Sequence, residues 1–159
     1  FDIGIADDRD THLSDFAMTA SDGGGRRMPL HGRIRLHDHD CIGGIATSGW
    51  RGRSLSFGIA DSVTVLAHNA AAADVAASLI ANAITISSPA ITRQPAASLV
   101  PDSDLKDRLV TVDVGPLSVK EIDHALAAGA CLARHMFGDG QIMTAYARLA
   151  GRSFIIAGE

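Results

Sequence analysis

Asp61-Ser62-Val63-Thr64-Val65-Leu66-Ala67-His68-Asn69-Ala70-Ala71-Ala72-Ala73-Asp74-Val75-Ala76-Ala77-Ser78-Leu79-Ile80-Ala81-Asn82-Ala83 is the stretch that decides how this chain folds. Asp61 introduces a short, mostly apolar run from Ser62 to Ala67 that reads as a strand. Asn69 stands where a helix N-cap is needed, and Ala70 to Ala83 is built almost entirely of strong helix formers. Asp74, Ser78 and Asn82 fall four residues apart, so they draw one polar line along one face of that helix. The helix has no basic residue three or four positions from Asp74. A carboxylate in such apolar company calls for a partner, a metal or solvent.

Outward from this unit the pattern alternates between strands and turns. Phe1 to Ala6 has no initiator Met and reads as a strand already in progress, which predicts an upstream segment removed, cleaved or carried by a second polypeptide. Asp7 to Met28 is polar, contains Gly23-Gly24-Gly25-Arg26-Arg27, and reads as a surface loop. Gly32 to His37 and Cys41 to Ala46 are expected to pair as a hairpin around Asp38-His39-Asp40, followed by a Gly-bounded loop from Thr47 to Arg53 and a further strand from Ser54 to Ile59. Ser87 to Asp107, with Pro89, Pro95 and Pro101, is expected to be irregular. Arg108 to Val114 then alternates as a strand stopped by Gly115-Pro116. Ser118-Val119-Lys120-Glu121 is a capping box opening a helix that runs to Gly138, with Gly129 on its apolar face to admit a close neighbour. Gln141 to Leu149 and Ser153 to Ala157 close the chain as a hairpin around Ala150-Gly151-Arg152. Hairpin-linked strands with two amphipathic helices between them predict an α+β fold, an antiparallel sheet with helices packed on one face.

Composition narrows the function classes. A chain of 159 residues suits one domain, and with 47% hydrophobic but only 4% aromatic residues its core must be packed by small aliphatic side chains. A formal net charge of -4 argues against a general nucleic-acid or anionic-membrane binder. The apolar stretch Val63 to Ile86 is interrupted by His68, Asn69, Asp74 and Asn82, so it is not read as a membrane span. Cys41 and Cys131 are at no metal-ligand spacing and make no disulfide framework, which leaves reduced thiols and a cytoplasmic location as the default.

Three constellations could carry chemistry. Asp74 and Ser78 offer a carboxylate and a hydroxyl one helical turn apart, which suits a hard cation such as Mg²⁺; the alternative is a capping or solvent-facing Asp near a helix start. Ile42-Gly43-Gly44-Ile45-Ala46-Thr47-Ser48-Gly49 combines glycines with two hydroxyls, as a phosphate or ribose loop would, or as a tight strand-end turn would; Arg51 and Arg53 follow as phosphate partners or as solvated charges. His37-Asp38-His39-Asp40 has metal-ligand residue types but falls at an expected turn, where Asp serves turn chemistry. No Gly-x-Ser-x-Gly elbow, P-loop or dinucleotide fingerprint occurs, and no signature supports Cys41 or Cys131 as a nucleophile. No catalytic residue is assigned. His12, His31, His68, His124 and His135 share no spacing and are read as structural.

In order, Gly43-Gly44-Ile45-Ala46-Thr47-Ser48-Gly49, Gly58-Ile59-Ala60-Asp61-Ser62-Val63-Thr64-Val65 and Ala72 to Ala83 resemble the motifs of the ApbE superfamily, most closely its uncharacterised UPF0280 branch. The resemblance extends from Phe1 to Gly158 and takes in Pro101-Asp102-Ser103-Asp104-Leu105 and Val114-Gly115-Pro116-Leu117. It implies a fold related to the T-fold, of which this chain would be the C-terminal part. It also implies the chemistry of Mg²⁺-dependent transferases that cleave FAD and attach FMN to Thr or Ser of a target protein. In that family a helix supplies an Asp and, four residues on, a Thr to the metal; the matching positions are Asp74 and Ser78. Gly44, Thr47, Ser48 and Gly49 match the ligand loop. The family's His-x-x-Asp-Pro element has no counterpart between Trp50 and Ile59, which holds neither His nor Pro, and its Gly-Gly-Asp element would lie upstream of Phe1. The expected ligand is a diphosphate nucleotide or flavin under Mg²⁺, acted on by transfer or hydrolysis. The alternatives are a pterin- or purine-binding module, as in T-fold relatives, and a subunit completing a heteromeric enzyme. The expected partner is a companion chain carrying the N-terminal half, or further copies of this chain.

Overall fold

A computed structural model describes residues 2–8, 13–19, 33–37 and 40–158 of the chain. Two units emerge, residues 1–42 and residues 43–159. In the first, strands β1 (Asp2–Asp8), β2 (Leu13–Thr19) and β3 (Arg33–His37) form an antiparallel meander in the order β1-β2-β3. Asp2 opposes Thr19 and Leu13 opposes His37. The polar stretch after Ala6 thus contains a strand, β2, in place of the expected loop; its residues do not alternate, and it is paired on both sides, by β1 and β3. Asp38 and His39, and with them the proposed turn, lie outside the described residues.

The second unit is built on a four-stranded antiparallel sheet, β4 (Gly44–Ser48), β5 (Ser62–Ala67), β8 (Thr144–Leu149) and β9 (Arg152–Ala157), in the order β4-β5-β8-β9. Beside it stands a two-stranded ribbon, β6 (Ile91–Pro95) with β7 (Leu109–Val114), bulged between Thr92 and Arg93. Helix α1 (Ala70–Ala83) lies on β4 and β5, and α3 (Val119–Gly138) on β8 and β9, while the short α2 (Ala96–Leu99) follows the ribbon's first strand. The fold is α+β. β3 is paired with β2 and β4 with β5, and the turn expected to join Gly32–His37 to Cys41–Ala46 lies at Asp38 and His39, outside the described residues. Nor is Ser87–Asp107 irregular throughout: it holds β6 and α2, with Pro95 at the end of a ribbon where its missing N–H costs little.

Local signals explain the helices. The Asn69 side chain accepts the Ala72 N–H at 2.8 Å, and Ser118 and Glu121 close a reciprocal capping box. Strand register explains which side chains meet. Val63 and Val65 of β5 stand beside Ala145 and Ala147 of β8 and turn toward Ala76, Ala77, Ile80 and Ile84 of α1 and Ile122, Ala125, Leu126 and Met136 of α3. This core is aliphatic with a single Met and no fully buried ring, and each fully buried Val, Ile or Leu contributes about 1.5–3 kcal/mol. The run of small residues lets the helices approach. A Cβ on Gly129 would lie 2.3 Å from Ile84 Cγ1, so α3 touches the end of α1 where glycine leaves room. The closing hairpin turns on Ala150 (φ 46°) and Gly151 (φ 83°), both left-handed as a two-residue turn of this kind requires. No helix among the described residues is long and apolar enough to cross a membrane.

Candidate metal and ligand site

Helix α1 separates the polar line of Asp74, Ser78 and Asn82 into two uses. Asp74 is exposed and Ser78 half-buried, and neither makes a side-chain hydrogen bond or ion pair among the described residues. Asn69 is the cap and Asp74 lies past the first turn, so the carboxylate is not a cap; being exposed, it faces solvent, as one of the alternatives expected. The two Cβ atoms of an i, i+4 pair stand about 6 Å apart on the same face, leaving both oxygens available to one cation. Among the described residues no group of three His, Cys, Asp or Glu gathers. A metal here would therefore take two protein oxygens and complete its shell with water or phosphate, a set that fits Mg²⁺ and not zinc.

Asn82 does different work. Its Oδ1 accepts the Phe57 N–H at 3.0 Å and the Ser56 hydroxyl at 3.2 Å, while Ser56 Oγ accepts the Gly58 N–H. Arg108 stacks on Phe57, 4.1 Å from the ring centroid, and the Ser56 carbonyl accepts the Thr111 N–H. These ties are why Ser54–Ile59 is not the expected strand: its polar groups are met by one side chain and by isolated backbone groups, not by a ladder. Asn82→Ala is expected to lower stability by about 2 kcal/mol because it orphans a buried hydroxyl and an N–H, whereas Asn82→Asp keeps the accepting oxygen and costs less; urea denaturation of both variants checks this.

The glycine-hydroxyl stretch is strand, not loop. Gly44 to Ser48 form β4; Ile42 and Gly43 precede it and Gly49 follows it. Thr47 opposes Thr64 and Ser48 opposes Val63, so the two hydroxyls point to opposite faces of the sheet. The Thr47 hydroxyl is engaged with Thr64 Oγ1 at 2.8 Å, while Ser48 keeps an uncommitted one. Gly44 and Gly49 serve backbone packing: a Cβ on Gly44 would lie 2.3 Å from Ala70 N, and one on Gly49 2.5 Å from the Asp61 carbonyl oxygen. The structure therefore brings Asp74 and Ser78 together, and it splits Thr47 from Ser48.

The family described as AbpE bacteria matches residues 4–155. The chain belongs to the AbpE bacteria family. No curated protein and no solved structure matches it. In this AbpE bacteria member the residues that tie the site's surroundings together include one that the sequence marked only as a strand opener. Asp61 Oδ2 accepts the Ala150 N–H at 2.7 Å, across 89 positions of sequence, and its Oδ1 lies 3.7 Å from Arg51 Nε. Arg51 in turn stacks 4.7 Å from the Trp50 ring centroid, with about half of its side chain exposed (53%). Glu121 is likewise engaged: hydrogen bonds from the Ser88 hydroxyl, then from the Ser118 hydroxyl and N–H, hold its carboxyl below the ordinary carboxylate range. Cys41 and Cys131 are both free and exposed.

Proposed function

We propose that this chain carries a Mg²⁺-dependent site for a diphosphate-bearing ligand of the flavin-nucleotide type, arranged as in the ApbE superfamily and its T-fold relatives, with Asp74 and Ser78 as the protein's ligands to the ion. The observation that carries this reading is the exposed, uncommitted pair Asp74 and Ser78 on one face of a helix whose remaining polar residue, Asn82, is already employed. The sheet with two helices on one face supports the fold half of the proposal.

When bound, the ion neutralises diphosphate charge and polarises a phosphoryl oxygen, the chemistry shared by phosphoryl transfer and hydrolysis. The chain's own part is positional. Asp74 supplies the charge, Ser78 a neutral oxygen, and the Gly43-Gly44 contact with the β5–α1 turn fixes where the helix begins.

Isothermal titration of the full protein with FAD and with a pterin, each with and without Mg²⁺, tests the proposal. FAD is expected to bind in a Mg²⁺-dependent way, and Asp74→Asn is expected to weaken it at least tenfold, about 1.4 kcal/mol. Pterin binding that needs no Mg²⁺ and ignores Asp74→Asn would replace this reading with a plain heterocycle-binding module. Loss of neither ligand nor metal dependence in Asp74→Asn would sink the metal assignment.

A further inference from the structure

Beyond the end of α1, in the direction away from Asp74, the chain runs through Thr85-Ile86-Ser87-Ser88 and is flanked by two adjoining hollows. One, of about 400 Å³, is lined by Thr85, Ile86, Ser87, Ser88, Ile91 and Arg93. The other, of about 300 Å³, is lined by Ile86, Ser87, Lys120, Glu121 and His124. Thr85 follows Asp74 by eleven positions, which places it about 15 Å along the helix axis from the metal pair. Three separate elements, the α1–β6 connection, β6 and the first turns of α3, converge there.

The chemistry of the lining is that of an oxyanion receptor. Arg93 Nη2 donates to Thr85 Oγ1 at 2.7 Å, which fixes the plane of the guanidinium and leaves the Thr85 O–H free to donate outward. Arg93 Nε, shielded from solvent, has no partner, and neither has Oγ1 of Thr111, which opposes Arg93 across the ribbon. Ser87, Lys120 and His124 are exposed and make no hydrogen bond or ion pair among the described residues. The one carboxylate in the lining, Glu121, already accepts from Ser88 Oγ through Oε1 and from Ser118 through Oε2. It forms no ion pair with Lys120 or Arg93 among the described residues, although the neutral donors that hold it leave its negative charge in place.

We propose that these two hollows form a binding site for a small phosphate-bearing anion, with Arg93 and Lys120 as its cationic contacts and the hydroxyls of Thr85 and Ser87 as neutral donors. Donors approaching from three elements suit a tetrahedral oxyanion, which presents oxygens in several directions; a planar carboxylate would use only part of the set. The site is independent of the Mg²⁺ reading.

The test is an NMR titration of the full chain at constant ionic strength with inorganic phosphate, glycerol 3-phosphate and acetate. Both phosphates are expected to shift the Ser87, Ser88 and Lys120 amides saturably, and whichever binds more tightly tells free phosphate from a phosphoester. Arg93→Lys, which loses the planar fork, is expected to raise Kd about tenfold, and Lys120→Gln about threefold, with Asp74→Asn unchanged. Should Arg93→Lys fail to fold, the exposed Lys120→Gln decides alone. Equal shifts with acetate, no saturation below about 20 mM phosphate, or a Kd unmoved by Lys120→Gln would each overturn the proposal.

Discussion

Gly44→Ala lowers the stability of the ligand-free protein by about 3 kcal/mol or more, the range reserved for steric conflict that nothing nearby can relieve. The added methyl would stand 2.3 Å from Ala70 N and from the Asn69 carbonyl carbon, and 2.4 Å from the Ala70 Cα. All three are backbone atoms at the capped start of α1, so no side-chain rotamer change makes room. Gly43 is held in the same way, with its hypothetical Cβ 2.1 Å from the His68 carbonyl oxygen, and its N–H donates to the Ala67 carbonyl at 3.0 Å. The pair clamps β4 onto the turn that launches the helix carrying Asp74. A glycine retained for ligand approach behaves differently: its replacement changes affinity and leaves apo stability within about 0.5 kcal/mol. Chemical denaturation without any ligand separates the two accounts. Gly138→Ala, with nothing within 4 Å of its Cβ and a place in the last turn of α3, is the control and is expected to be neutral or stabilising by up to about 1 kcal/mol. A Gly44→Ala protein as stable as its parent would refute the clamp.

The contrast between Gly44 and Asp74 shows which parts of the candidate site a sequence can disclose. Asp74 and Ser78 are legible because helical periodicity alone puts them on one face, whatever surrounds the helix. Gly44, Thr47, Ser48 and Gly49 looked like one ligand loop because they are adjacent in sequence, but strand geometry sends neighbours to opposite faces, and the register with Thr64 and Val63 does so here. The elements that read correctly each carry their own local signal: the Asn69 cap, the Ser118 capping box, the apolar run of β5 and the turn before Arg152. Those that misread depend on distant partners. Ser54–Ile59 alternates like a strand, yet its N–H and hydroxyl groups are taken by Asn82, some twenty-five residues on. Ile91–Pro95 carries a proline and sits in a Ser- and Pro-rich stretch, and it becomes a strand only because Leu109–Val114 returns beside it. Arg93 had no sequence signal at all, since its meaning comes from Thr85, Thr111 and Lys120 arriving from other elements.

The second large effect concerns the seam between the two helices, and it is a coupling rather than a single loss. Gly129→Ala on its own gains about 1 kcal/mol of helix propensity but drives a methyl to within 2.3 Å of Ile84 Cγ1 and 2.9 Å of Cδ1, an overpacking that costs about 1–3 kcal/mol, so the net change is destabilising. Ile84→Ala on its own empties a fully buried site and costs about 2–5 kcal/mol. Together the two changes are complementary. The atoms that block the new methyl are those the second substitution removes, and the methyl returns some of the lost volume. The double variant is expected to be more stable than the sum of the single changes by at least about 1 kcal/mol, where unconnected sites would add within about 0.5 kcal/mol. A double-mutant cycle by urea denaturation measures this term directly, and additivity would mean that the seam yields by moving the helices apart. That distinction bears on Asp74 and Ser78, the pair proposed to hold an ion, as well. Ile84 caps α1, its carbonyl accepts the Ile59 N–H at 2.8 Å, and Asn82 two residues earlier holds the Phe57 segment, so a seam that slides would carry the whole polar face of α1 with it. A seam that is rigid, with Gly43-Gly44 clamping the start of the same helix, fixes both ends of the element on which Asp74 and Ser78 stand, and that is the preorganisation a two-ligand cation site requires.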